Sequence, residues 1–166
     1  MSKNPRCLYH NDFLTFLSQS TDSIFGMLCD SYHGDALTTT REAWKREIEI
    51  MKSVLSALPD KAGQIVFEYD IPRLGKRIDV VLLYRGIVFC LEFKVGESKI
   101  LEADLDQVLD YALDLKNFHK FSQDKVIAPI LVATKFSEHT TSVQMSVYDD
   151  KVVNPLVTGE VGLFDV

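Results

Sequence analysis

A chain of 166 residues, 46% hydrophobic and 25% charged, is long enough to bury one solid core. Its make-up is that of an ordinary globular domain, which excludes a disordered, collagen-like or disulfide-stapled protein. The net charge of −6 argues against non-specific coating of nucleic acid, though not against a local basic groove.

No apolar run approaches the ~18 residues of a membrane span, so no membrane partner is expected. The start, Met1-Ser2-Lys3-Asn4-Pro5, carries no apolar leader, which predicts a cytoplasmic protein. Cys7, Cys29 and Cys90 are odd in number and widely spaced, the usage of free thiols in a reducing compartment.

Residues 1–35 carry Phe13, Leu14, Phe16, Leu17, Ile24, Phe25 and Leu28 at helical spacing, which predicts a helical N-terminal extension of one or two short helices. Ser20-Thr21-Asp22 reads as the break between them, and His33-Gly34-Asp35 as a turn. Thr38-Thr39-Thr40 can cap a helix running to about Leu58, where Pro59 and Gly63 stop it.

Three strands follow: Ile65–Tyr69, ending near Pro72; Ile78–Tyr84; and Ile87–Val95. A helix from about Leu101 to His119 precedes a fourth strand, Val126–Ala133. Weaker strand signals lie at Val143–Tyr148 and Leu156-Val157. This order predicts an α/β fold with a mixed central sheet flanked by helices. One domain spans 1–166, with its core in 36–136 and a C-terminal segment in 137–166. The ending Gly162-Leu163-Phe164-Asp165-Val166 fits a piece of a longer protein.

The second and third strands meet at Arg85-Gly86. If these two residues form the whole turn, Tyr84 faces Ile87. Counting back along both strands then sets Asp79 opposite Glu92 and Arg77 opposite Lys94. Facing residues have Cβ atoms roughly 4.5–5.5 Å apart. Two carboxylates that close in an apolar sheet need a shared proton, a cation or a bound metal. On the third strand Ile87, Phe89, Leu91, Phe93 and Val95 form one apolar face, and Val88, Cys90, Glu92 and Lys94 the other. Alone, Glu92-Phe93-Lys94 reads as an ordinary surface Glu-Lys pair. The opposing Asp79 and the apolar neighbours weigh against that reading.

On a wheel of about 100° per residue, Trp44, Ile50, Met51, Val54, Leu55 and Leu58 share an arc, while Lys45, Glu49 and Lys52 face away. Glu47 sits within the apolar arc, where a carboxylate is costly unless paired or metal-bound. It is the choice for a third acid, Glu68 being weaker. On the Leu101–His119 helix, Gln107 stands one turn before Tyr111 at the apolar margin. Asp104 projects toward the apolar side, and Asp106, Asp110 and Asp114 make a solvated face.

Gly75-Lys76-Arg77-Ile78-Asp79, Glu92-Phe93-Lys94 and Gln107-Val108-Leu109-Asp110-Tyr111 together resemble the PD-(D/E)xK nuclease superfamily, RecB-like branch. Glu47 holds the upstream acidic position. The resemblance spans about residues 40–135 and implies a restriction-endonuclease-like core and Mg²⁺- or Mn²⁺-dependent DNA hydrolysis. It implies metal ligation by Asp79, Glu92, the Phe93 carbonyl and Glu47. Lys94 would serve the attacking water or the transition state, with Gln107 and Tyr111 orienting the phosphate or Lys94. Arg73, Lys76, Arg77 and Lys99 are expected to contact the nucleic-acid backbone.

The segment 71–79 is further similar to nuclease-like fronts of bacterial proteins with a helicase-like ATPase behind them. Such an ATPase is an expected neighbour, but no phosphate-binding Gly-x-x-x-x-Gly-Lys occurs here. The cysteines of the iron–sulfur members are missing, so no cluster is expected. A homodimer would serve paired cuts. The alternative is a catalytically weak or inactive module of this fold, kept for nucleic-acid binding or for assembly with the motor.

Overall fold

A computed structural model describes residues 6–33, 37–71, 75–146 and 150–166. The chain begins with β1 (Tyr9–Asp12), α1 (Phe13–Ser18) and α2 (Thr21–Ser31). Asp12 caps α1 by accepting from the Thr15 amide at 2.8 Å, and Ser20 caps α2 by accepting from Ser23 at 3.1 Å. The 1–35 segment is therefore not purely helical. Its four-residue strand β1 was invisible to a helical periodicity because the run is too short to show alternation.

α3 (Thr38–Ala57) follows; Thr38 begins the helix, which has no side-chain cap. Its C-terminal end is closed by the Lys61 ammonium, which donates to the carbonyls of Leu55, Ser56 and Leu58 at 2.6–2.8 Å. Lys52 is not the solvated residue its wheel position predicts. Its ammonium donates to the carbonyls of Phe16, at 2.9 Å, and Leu17, at 3.4 Å, and so closes the end of α1.

The remaining elements are β2 (Gly63–Asp70), β3 (Arg77–Tyr84), β4 (Ile87–Lys94), α4 (Glu102–Phe118), a 3-10 turn at Lys120–Ser122, β5 (Val126–Ala133) and β6 (Leu156–Thr158). Among the described residues, six strands form one mixed sheet in the order β1 to β6. Its first three pairings are antiparallel, and β4–β5 and β5–β6 are parallel. The fold is thus α/β with a mixed sheet flanked by helices. No described helix is long and apolar enough to cross a membrane.

Strand alternation sorts the core into two layers. Ile65, Phe67, Val80, Leu82, Leu91 and Phe93 pack with Phe13, Phe16, Ile24, Leu28, Trp44, Ile48 and Met51 of α1, α2 and α3. Val81, Val88 and Cys90 pack with Tyr111, Ala112 and Leu115 of α4. Val95 lies beyond the end of β4 and is exposed.

Of the tail signals, Leu156-Val157 becomes β6. At 143–146 the described residues form no strand but an isolated bridge from Met145 to Val153, with Ser146 donating to the Val152 carbonyl and Asn154 to the Gln144 carbonyl, each at 2.8 Å; Tyr148 lies outside the described residues. The stretch after β4 is tied to the stretch after β5. Gly96 donates to Thr134 Oγ1 at 2.8 Å, Thr134 to the Lys94 carbonyl at 3.2 Å, and Lys135 to the Glu97 carbonyl at 2.9 Å.

Candidate active site

The Arg85-Gly86 turn has φ of 49° and 80°, the paired positive angles of a two-residue type I′ hairpin. Tyr84 faces Ile87 as expected, and the register runs without slip to Val80↔Leu91. There the ladder stops. Asp79 and Glu92 do not form the next backbone pair; instead Asp79 Oδ2 accepts from the Phe93 amide at 2.8 Å. Arg77 does not meet Lys94. It turns to β2, with Nε 2.8 Å from Asp70 Oδ1 and Nη1 3.5 Å from Glu68 Oε2.

The cause lies in β2 and β3. Glu68 has φ of 55°, a left-handed conformation that costs a side-chain-bearing residue about 1–2 kcal/mol. Glu68 and Asp79 stand opposite each other but are skipped by the ladder, which passes from Phe67↔Val80 to Tyr69↔Ile78. On either side of this point the faces exchange. Phe67 and Val80 belong to the layer under α3, while Tyr69 and Ile78 belong to the layer under α4. The break lets an acid on α3 and an acid on the α4 face of β4 share one neighbourhood with Asp79.

Four carboxyls there feel one another's charge: Glu47 from α3, Glu68 from β2, Asp79 from β3 and Glu92 from β4. Glu47 is 3% exposed and Glu92 6% exposed. Burial, then the charges of Glu68 and Glu92, push Glu47 up to about 8. Burial, followed by Glu47 and Glu92, raises Asp79 well above the usual carboxylate range, against the pull of the Phe93 amide. Burial raises Glu92 and Glu68 as well; Lys94, and then the neighbouring Asp79 carboxyl, oppose this at Glu92, and Trp44 and Arg77 oppose it at Glu68. Glu47 Oε2 and Glu92 Oε2 are buried without any hydrogen-bond partner, a state that costs free energy unless another group completes it.

Lys94 ends β4 with Nζ 3.1 Å from both Glu92 Oε1 and Gln107 Oε1, and 3.3 Å from Asp104 Oδ1. Burial pulls its ammonium down, and Glu92 and Asp104 more than reverse this, so Lys94 titrates above its ordinary value. It stands as a held cation between Glu92 and Asp104. Gln107 donates to Glu92 Oε1 at 3.0 Å and to the Tyr111 hydroxyl at 2.6 Å. The amide thus joins β4 and α4 in one network.

The structure therefore brings together Glu47, Asp79, Glu92, Lys94, Gln107 and Tyr111. Phe93 enters through its amide. Lys76 lies 3.6 Å from Asp110 and 3.9 Å from Asp114, so it and Arg77 are engaged by acids. Lys99 is exposed in the stretch before α4, and Arg73 lies outside the described residues. Sequence reasoning took Trp44 only as core. Its indole N–H in fact donates to Glu68 Oε1 at 3.0 Å, and the signal was there in the need of a buried indole for an acceptor.

Among the described residues, no group of three or more His, Cys, Asp or Glu side chains is placed so that it could hold a metal ion. The donors offered by Glu47, Asp79 and Glu92 are all carboxylate oxygens, two of them buried and unpartnered. That set suits a hard divalent cation such as Mg²⁺ or Mn²⁺ and not a thiolate-seeking metal. No protein-family model, no curated protein and no solved structure matches the chain.

Proposed function

We propose that the chain is a Mg²⁺-dependent deoxyribonuclease of the PD-(D/E)xK type. The observation that carries the reading is the contrast at Glu92. One oxygen accepts from Lys94 and Gln107, while the other is buried without a partner beside Asp79 and Glu47. An acid with one oxygen held by Lys94 and Gln107 and the other buried among further acids is poised for a cation.

Asp79, Glu92 and Glu47 would hold the ion. When bound, it activates water and offsets the charge that builds on a phosphodiester in hydrolysis. The chain's own groups supply the rest. Lys94, fixed by Gln107 and kept charged, donates to the phosphate oxygens as their charge grows. Gln107 cannot rotate its amide without breaking bonds to Lys94, Glu92 and Tyr111, so it sets the position of that ammonium. Lys99, exposed in the stretch before α4, would meet the backbone of the nucleic acid. Cys7, Cys29 and Cys90 are free, which supports a reducing, cytoplasmic setting.

The test incubates supercoiled and single-stranded DNA with the protein in Mg²⁺ or Mn²⁺, with a chelator as control. Cleavage that needs the cation and vanishes in Lys94→Ala supports the reading. Cleavage that survives both chelation and Lys94→Ala overturns it. DNA retention without cleavage at any cation concentration favours the binding-module alternative.

A further inference from the structure

Glu68 belongs to none of the sequence motifs, yet the pocket is organised around it. Its side chain is 13% exposed, and it is one of three described non-glycine residues with positive φ. A half-buried carboxylate in left-handed backbone persists where the surroundings hold it.

Both Glu68 oxygens are taken. Oε1 accepts from Trp44 Nε1 at 3.0 Å, and Oε2 faces Arg77 Nη1 at 3.5 Å. Trp44 is 1% exposed and lies one turn before Glu47 on α3. Arg77 lies two residues before Asp79 on β3, with its guanidinium 5.7 Å from the Tyr32 ring centre. Tyr32 in turn packs edge-on against Trp44 at 5.6 Å. Glu68 therefore grips, through one carboxylate, the two elements that deliver Glu47 and Asp79, while its backbone makes the break that turns Asp79 out of the ladder. Its own charge lies among those acting on Glu47 and Asp79.

We infer that Glu68 is a positioning residue of the acidic pocket: bonded to Trp44 and Arg77, it fixes the approach of Glu47 and Asp79 to a divalent cation while staying outside the ligand shell. This rests on the proposal that the pocket takes such a cation. Outer groups that orient metal-ligating side chains typically change metal affinity by about 10–100-fold when removed.

The experiment measures Mn²⁺ binding to the full chain by calorimetric titration, without DNA, and thermal melting with and without Mn²⁺. Glu68→Gln keeps the shape and loses the charge. Glu68→Gly suits the left-handed backbone and loses the grip on Trp44 and Arg77, so it remains informative should Glu68→Gln fold poorly. The expected result is Mn²⁺ affinity reduced by about 10–100-fold in each folded variant, with binding stoichiometry unchanged. A merely structural Glu68 would lower the melting temperature and leave the affinity of the folded protein intact. Wild-type affinity in both variants, or a changed stoichiometry that makes Glu68 a ligand, overturns the inference alone. A wild-type chain that binds no Mn²⁺ overturns the cation reading and this inference with it.

Discussion

The Phe93 amide donates to Asp79 at 2.8 Å, at the point where the β3–β4 ladder would otherwise continue. One carboxylate oxygen thereby replaces a backbone acceptor. Asp79→Asn keeps a carbonyl for that amide and removes a buried charge, so the fold is retained and the cation-free protein is at least as stable as wild type. Mn²⁺ affinity and DNA cleavage each fall by about 100-fold or more. Circular dichroism, melting, calorimetry and a cleavage assay check the four statements.

Glu47 gives the protein a pH signature. It binds a proton up to about pH 8 when folded, against 4.5 ordinarily, so between these values the folded state holds more protons than the unfolded one. Stability from this group is full below about pH 4.5 and is lost as pH rises through about 8. Glu47→Gln removes that slope. The cation-free variant therefore melts higher than wild type at pH 8 and about equally at pH 4. Each kcal/mol of difference corresponds to roughly 2–4 °C. Mn²⁺ raises the wild-type melting temperature more at pH 8 than at pH 5, and does so weakly in the variant.

Lys94→Met leaves Glu92 and Gln107 without their cation. The Lys94 and Glu92 side chains are 24% and 8% exposed. Losing one partner costs about 1–3 kcal/mol at pH 8, below the ~3–5 kcal/mol of a fully buried pair because Lys94 retains some solvent. The loss shrinks at acid pH as Glu92 takes up a proton. Denaturant titrations at the two pH values read the difference. Cleavage falls by about 10²–10⁴-fold.

Gln107→Leu separates orientation from binding. It removes bonds to Lys94, Glu92 and Tyr111 and leaves the proposed cation ligands in place. The expected outcome is kcat reduced by about tenfold or more, with KM nearly unchanged. Tyr111→Phe loses one neutral bond and about 1 kcal/mol of stability. Steady-state kinetics and melting distinguish the two.

The hairpin was legible because Arg85-Gly86 is short enough to fix the register outright, and the buried Glu47 because helical spacing is regular over twenty residues. Glu68 was not legible. Alternation assumes an unbroken strand, and nothing in Phe67-Glu68-Tyr69 announces a left-handed residue where Asn or Gly would be ordinary. The same assumption carried Asp79 one pair too far and pointed Arg77 at Lys94 instead of Asp70 and Glu68. Lys52 was misjudged because a wheel knows only its own helix, and α1 supplies carbonyls on the side counted as solvent.

The bonds from Gly96 to Thr134 and from Lys135 to Glu97 sew the entrance of α4 to the exit of β5. The chain that leads into the helix carrying Gln107 and Tyr111 is therefore moored to the chain leaving β5 by the fold itself, and little ordering entropy remains to be lost in that stretch on binding.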